Sequence, residues 1–281
     1  MFLWVTGSSG FIGSHLRKRF PKRNTVCIPH RKLKDIEWLQ KLAENKPPNA
    51  IYHFAACGNM AHQKNEYQMV ESNIFYLWNL LIATKNCKYQ IFINCSTSSV
   101  YGNKNHPMHE TNSLEAKDFY AVTKICGELL VRAFVEKYDK PIVNIRPFSV
   151  YGTGEANYRF IPTVIRCIKE NKPMKLAPGM HDWIFTEDLL DGIMAIQERV
   201  KDVKGLAVNI GTGQQHDNYD VFKHLCMLAG KDMNDMPVEH IRSLRSKDSW
   251  VADNSLLHRL GWVQKYLLID GLKEIWNSKN E

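Results

Sequence analysis

An α/β fold, with a parallel sheet wound from both sides and a smaller lobe after it, is what this sequence predicts. Three observations carry that prediction. Short runs rich in β-branched residues alternate with longer amphipathic runs through the first 150 residues. Gly7, Gly10 and Gly13 stand where the first apolar run stops and a helical pattern starts. Beyond about residue 150 the alternation loosens, with glycine-containing breaks at 152–154, 178–179 and 211–213. The 281 residues, 44% of them hydrophobic, suffice for one large core or a core and a smaller one. The expected division is 1–150 and 151–281, with a stretch near 180–210 returning to the first domain.

FLWVT (2–6) reads as a strand, and the segment from Ser14 to about Phe20 as a helix. TVCI (25–28) is the second strand, Asp35 to Glu44 is helical, and 47–56 leads into a third strand. Residues 67–86 are helical, IFINCS (91–96) is a strand, 118–138 is a long helix and IVNIRPF (142–148) is another strand. The helices at 67–86 and 118–138 carry more apolar surface than packing on one sheet face needs, Leu77, Leu80 and Leu81 in the first and Val122, Leu129 and Phe134 in the second.

The glycine spacing has a physical reading. Gly7 permits a tight turn after the strand, Gly10 lets a diphosphate approach the backbone, and Gly13 lets the helix, beginning near Phe11, pack close to the strand. The free N–H groups and partial positive charge of the helix N-terminus then face the anion. This is a Rossmann-type dinucleotide turn. The residue after the second strand selects the cofactor: a carboxylate bonds the ribose of NAD, and a cation takes the 2′-phosphate of NADP. Here the strand ends IPHRK, with no acid before Asp35. His30, Arg31 and Lys32 point to NADP, with NAD the alternative.

Two stretches carry candidate chemistry. Tyr120 and Lys124, in YAVTK, lie four apart and so on one helical face. A free tyrosine, with a pKa near 10, is no base at neutral pH. A cation about 6 Å away is worth about 3 kcal/mol at an effective dielectric of about 20, or about two pK units. Lys124 would thereby bring Tyr120 toward working range; the alternative is a solvated helix pair. CSTSSVYG (95–102) places small hydroxyl residues after a buried strand, where one can hydrogen-bond a substrate oxygen.

Together these residues resemble the extended short-chain dehydrogenase/reductase family, the NAD(P)-dependent sugar-nucleotide epimerases, dehydratases and reductases. TGSSGFIG, with Phe11 and Ile12, is similar to the family's TGxxGFIG turn. Asp35-Ile36 resembles the acid–aliphatic pair that contacts adenine, and HFAA, with Phe54, Ala55 and Ala56, the strand end beside the cofactor. Asn73 falls on the asparagine of the next helix. The resemblance implies Thr97, Tyr120 and Lys124 as the catalytic group, Tyr120 and Lys124 also touching the cofactor. RPFSVYG (146–152) resembles RxFNVYG, which sets Pro147 and Phe148 against the nicotinamide. VNIGTG (208–213) and LGW (260–262) complete the likeness. The family pairs its two long helices across a two-fold axis, so a homodimer through 67–86 and 118–138 is expected.

The departures shape the expected reaction. Where the family's dehydratases carry acids after the Ser/Thr, this chain has Ser98 and Ser99, which cannot do acid–base work. The family arginine of the small lobe is His181, and the asparagine of RxFN is Ser149. An arginine–acid pair survives as Arg245 and Asp248. Ser98, Ser99, Ser149, His181 and Arg245 are the expected substrate contacts. The chain between the second and third strands is too short for an extra βα unit. With the basic IPHRK, that favours an NADPH-dependent reductase of a nucleotide-linked 4-keto sugar, with a nucleotide-sugar 4-epimerase as the close alternative. A nucleotide-uronic acid decarboxylase and a non-catalytic NADP sensor are minor ones.

Composition narrows the remaining classes. The seven cysteines show no CxxC or zinc-ligand spacing, so no metal is expected and a reducing, cytoplasmic setting is. The net charge of +8 is spread over short clusters, Arg17-Lys18-Arg19 and His30-Arg31-Lys32, without a basic stripe or nucleic-acid motif. No apolar run approaches the roughly 18 residues of a membrane span.

Overall fold

A computed structural model describes residues 2–58, 63, 65–240 and 249–278. The chain forms two compact units, the first from Met1–Gly102, Glu110–Pro147 and Ile193–Asn209, the second from Asn103–His109, Phe148–Gly192 and Ile210–Glu281.

The first unit holds a six-stranded sheet. Its strands are β1 (Phe2–Thr6), β2 (Thr25–Ile28), β3 (Pro48–His53), β4 (Ile91–Cys95), β5 (Ile142–Pro147) and β6 (Ala207–Ile210), in the order β6-β5-β4-β3-β1-β2. Neighbours from β2 to β5 pair in parallel, for example Trp4↔Val26, Val5↔Tyr52, Tyr52↔Ile93 and Ile93↔Val143. β2 is one edge strand and β6 the other. The strand order reverses between β1 and β3, and ligands of such sheets bind outside the strand ends at this switch point. Apolar residues of one sheet face and the helices that cover it, Trp4, Leu39, Ile51, Leu80, Phe92 and Val131 among them, make a core cluster.

The helices are α1 (Phe11–Lys18), α2 (Ile36–Asn45), a long α3 and α4 (Phe119–Tyr138). α1 starts at Phe11, three residues before Ser14, because Gly10 is already its N-cap. α3 runs in three contiguous pieces: Glu66–Val70, a π turn over Glu71–Phe75, and Tyr76–Thr84. β3 stops at His53, short of the expected Ala56. There His53 Nδ1 and Thr6 Oγ1 share a hydrogen bond of 2.8 Å, and Ala55 N donates to Thr6 Oγ1 at 3.1 Å.

The apolar residues of α3 and α4 divide between two surfaces. Leu77, Leu80, Leu81, Val131 and Phe134 belong to the unit's own core. The exposed apolar face is instead Tyr67, Phe75 and Trp78 on α3 and Phe119, Val122 and Leu129 on α4.

The second unit has three small sheets: Ser149–Tyr151 with Trp183–Phe185, Met174–Leu176 with Val238–His240, and Met180–His181 with His216–Asp217. Its core gathers Tyr151, Ile165, Leu176, Phe222, Leu225 and Leu272. Asp182 is its keystone. The buried carboxylate accepts from Thr212 N and Thr212 Oγ1 at 2.7 Å, and from Gly213 N and Ala252 N at 3.0 Å. Among the described residues, no helix is long and apolar enough to cross a membrane.

Candidate active site

The turn between β1 and α1 is set by backbone contact. Gly7 has φ +67°, where L side chains are strained, and a Cβ on it would lie 2.7 Å from Ala55 N. A Cβ on Gly13 would lie 2.2 Å from Gly7 O. These two glycines let β1, the Phe54–Ala55 segment and α1 meet at one point. A Cβ on Gly10 would touch only Gly7 O, at 3.2 Å. Ser9 and Gly10 are exposed, so the α1 N-terminus is open to a ligand. A diphosphate fits this cradle: backbone N–H groups, a helix dipole and no intruding side chain.

After β2, His30, Arg31 and Lys32 form a single 3₁₀ turn. Lys32 is engaged: its Nζ donates to Asp35 Oδ2 at 3.0 Å and lies over the Trp38 ring. Asp35 caps α2 by accepting from Trp38 N at 3.0 Å, which together with Lys32 holds its carboxyl below the usual range. Ile36 is the first residue of that helix and is half-buried. His30 Nε2 is 3.1 Å from Ser72 Oγ, and burial holds its pKa down against the pull of Glu71. Arg31 is exposed and, among the described residues, without a partner.

Tyr120 and Lys124 ride on α4, whose N-cap Asp118 accepts from Ala121 N at 2.8 Å. Lys124 is only 6% exposed. The pair is therefore no solvated helix surface. Burial lowers the Lys124 pKa, opposed by Cys95 and then Glu128. The Tyr120 ring borders Gly58, where a Cβ would come within 3.1 Å of its Cδ2. α4 packs against the 3₁₀ turn Ser98–Tyr101 that follows β4. Thr97 caps this turn, its Oγ1 accepting from Ser99 N and donating to Ser99 Oγ, each at 3.2 Å. Ser98 is buried and Ser99 half-buried.

Asn73 sits in the π turn of α3 with its amide engaged at both ends. Its Oδ1 accepts from Cys57 N at 2.9 Å, and its Nδ2 donates to Cys57 O and Thr123 Oγ1, each at 2.8 Å. Both of its N–H donors are thus used within the chain. Asn73 ties the segment after β3 to α4, one residue from Lys124, and any effect on a ligand passes through those neighbours. Pro147 ends β5, and Phe148, 5% exposed, belongs to the second unit.

In the second unit, Ser149 and His181 come together, Ser149 Oγ 3.3 Å from His181 Nδ1. Burial lowers the His181 pKa and Asp217 raises it. Two residues that sequence reasoning passed over join them. A Cβ on Gly179 would meet Asn218 Nδ2 at 3.0 Å and His181 Nε2 at 3.3 Å, and the Trp183 ring centre is 5.0 Å from that of His181. Asn218 Oδ1 and Trp183 Nε1 are buried without a hydrogen-bond partner among the described residues. Arg245, with Asp248, lies outside the described residues. No group of three or more metal-ligating side chains is present among the described residues.

The model of the NAD dependent epimerase/dehydratase family matches residues 3–211. A trifunctional UDP-glucose 4,6-dehydratase/UDP-4-keto-6-deoxy-D-glucose 3,5-epimerase/UDP-4-keto-L-rhamnose-reductase of Arabidopsis thaliana is 25% identical over 98% of this chain. The chain spans 47% of that relative's length. An uncharacterized UDP-glucose epimerase of Bacillus subtilis is 30% identical, over 76% of this chain and 78% of its own. Among solved structures, UDP-glucuronic acid 4-epimerase from Bacillus cereus, in complex with UDP-glucuronic acid and NAD, is similar with a TM-score of 0.84. It is 27% identical, and the match covers 99% of this chain and 98% of that one.

Proposed function

The chain belongs to the NAD dependent epimerase/dehydratase family, and on that premise we propose that it reduces a nucleotide-linked 4-keto sugar with NADPH. The observation that carries this reading is the meeting of Tyr120 and buried Lys124 on one face of α4, packed on the turn that Thr97 caps. A bound nicotinamide cofactor supplies the hydride that goes to C4. Tyr120 gives its phenol proton to the C4 oxygen, and the Thr97 hydroxyl, turning its one proton from Ser99 Oγ, donates a hydrogen bond to that oxygen. Lys124 holds the nicotinamide ribose and makes the phenol a stronger acid. Gly7, Gly10 and the α1 N-terminus take the diphosphate. Arg31, an uncommitted cation in the turn that follows β2, takes the 2′-phosphate. His181, Ser149, Trp183 and Asn218 receive the nucleotide sugar.

A 4-epimerase is the second reading, favoured by the epimerases among the relatives and by the NAD in the Bacillus cereus structure. There the same residues act in both directions on C4. The test is incubation with a panel of nucleotide sugars and their 4-keto forms, with and without NADPH, followed by product analysis. NADPH-dependent consumption of a keto sugar supports the reductase. Interconversion without added cofactor supports the epimerase, and inertness toward the whole panel refutes both.

The exposed apolar face of α3 and α4 also supports a homodimer. Tyr67 is 76% and Leu129 56% exposed, more apolar surface than a helix pair ordinarily gives to water. Light scattering at micromolar concentration checks it: a dimer is expected, and a monomer refutes it.

A further inference from the structure

Glu128 stands one turn beyond Lys124 on α4 and is 6% exposed. Arg146 on β5 grips it in a fork, Nε to Oε1 at 3.0 Å and Nη2 to Oε2 at 2.6 Å. The other arm, Nη1, donates to the Tyr101 hydroxyl at 2.8 Å and to Glu110 O at 3.1 Å. The Tyr101 hydroxyl in turn donates to Asn209 Oδ1 at 2.7 Å. Tyr101 is the last residue of the turn that Thr97 caps. One buried network therefore joins the helix of Tyr120 and Lys124 to the turn of Thr97.

Among the described residues, the groups acting electrostatically on Lys124 come from three elements. From β4, burial pushes the Cys95 thiol up to about 11, so it is neutral at pH 7. From β3, burial pushes His53 down to about 3, so it too is neutral. From α4 itself comes Glu128, the remaining negative neighbour among the described residues. A fork from arginine leaves a carboxylate further lone pairs, and the field of its charge still reaches a group one helical turn away. We propose that Glu128 is a positioning residue of the active site, the counter-charge that keeps the Lys124 ammonium in place beside Tyr120 and ties their helix to the turn of Thr97. This rests on the roles given to Tyr120 and Lys124 above.

Without the Glu128 charge, Arg146 and Lys124 are two buried cations with no anion between them. Arginine keeps its proton in proteins and lysine gives its proton up when buried, so Lys124 becomes neutral and Tyr120 loses its neighbouring charge. A loss of that kind moves a phenol up by about two pH units.

The test reads Tyr120 directly, in the full chain with 13C-labelled tyrosine rings, its NMR signal assigned with Tyr120→Phe. In Glu128→Gln the phenol is expected to titrate about two units higher than in the wild type, and Glu128→Asp to recover most of the difference. Since Glu128→Gln leaves a buried guanidinium unpaired, at a cost to folding, a second variant, Glu128→Gln/Arg146→Met, removes both charges; with the repelling guanidinium gone as well, it is expected to show a smaller rise in the same direction. A Tyr120 midpoint unchanged in either folded variant overturns the proposal. 13C-lysine titration of the wild type adds an arm that needs no variant of the pair: Lys124, assigned with Lys124→Met, is expected to stay protonated at pH 8, and a neutral Lys124 there overturns it too. Failure of the functional reading appears separately, as absence of NADPH and NADH binding and of turnover in the wild type.

Discussion

The side chains of the two candidate sites are held differently, although each unit buries polar atoms without a hydrogen-bond partner among the described residues, Ser96 Oγ and the Tyr89 hydroxyl in the first. In the first, the candidate reaction groups are held by their own chain. Asn73 uses both N–H donors on Cys57 and Thr123, Thr97 caps its own turn, and Glu128 is forked by Arg146. In the second, His181 has Ser149 on one side, but Trp183 Nε1 and Asn218 Oδ1 beside it have no partner among the described residues. An unsatisfied buried polar group costs about 1–3 kcal/mol, a cost a fold tolerates where a ligand completes the bond. On the proposed reading, the contrast is between reaction geometry built in advance and recognition that leaves bonds for the substrate to make.

The largest expected effect breaks the first side of that comparison. Tyr120→Phe keeps the ring against Gly58 and removes the phenol, so turnover should fall about 10²–10⁴-fold while cofactor binding by fluorescence titration persists. Lys124→Met should be comparably severe, with weaker cofactor binding and a higher pH optimum; Thr97→Val should be milder. An active Tyr120→Phe variant would withdraw the site assignment.

Next comes the cofactor end. Gly10→Val should cost about a hundredfold or more in cofactor affinity with the fold kept, because its Cβ meets one backbone oxygen at 3.2 Å. Gly13→Val should fail to fold, its Cβ being only 2.2 Å from Gly7 O. Calorimetry and circular dichroism separate the two outcomes. Arg31→Asp should lower NADP affinity about tenfold to a hundredfold, the loss of a charge-assisted bond. Equal NAD and NADP affinity in the wild type would refute the assignment of Arg31.

The second unit is sharpened by Trp183→Phe, which keeps the ring packing and deletes the orphan N–H. If a nucleotide sugar uses that donor, KM should rise about tenfold with kcat nearly unchanged, the value of about one hydrogen bond. An unchanged KM would show that Trp183 only packs.

A further effect concerns acid stability of the first unit. Burial holds His53 down to about 3, while the unfolded chain binds this proton near pH 6.5. Between those values the unfolded state binds more protons, so stability falls as pH falls from about 6.5. His53→Asn should flatten the drop in Tm between neutral pH and pH 4, and an identical pH slope would show that His53 does not contribute.

The parts of the site that were legible in the sequence are those whose physics is local. Gly7, Gly10 and Gly13 lie within one turn, and Tyr120 and Lys124 within one helical turn, so spacing alone sets their relation. Asn73 was visible only as a resemblance, because its partners Cys57 and Thr123 are 16 and 50 residues away. Trp183 and Asn218 gave no signal, since a tryptophan and an asparagine in an irregular segment look like core and turn. The apolar excess of the two long helices was readable, but not which residues face outward; a π turn at Glu71–Phe75 shifts the face that α3 presents after it.

By itself, the sequence determined the alternation of strands and helices, the phosphate turn and the tyrosine–lysine pair, because periodicity and short-range sterics act over a few residues. Tertiary packing decided the rest: that Lys124 is buried and Lys32 committed to Asp35, that Arg146 closes on Glu128, and that Trp183 and Asn218 come to His181. Burial, and with it the strength of every charge, depends on which distant segments meet, and no local pattern encodes that.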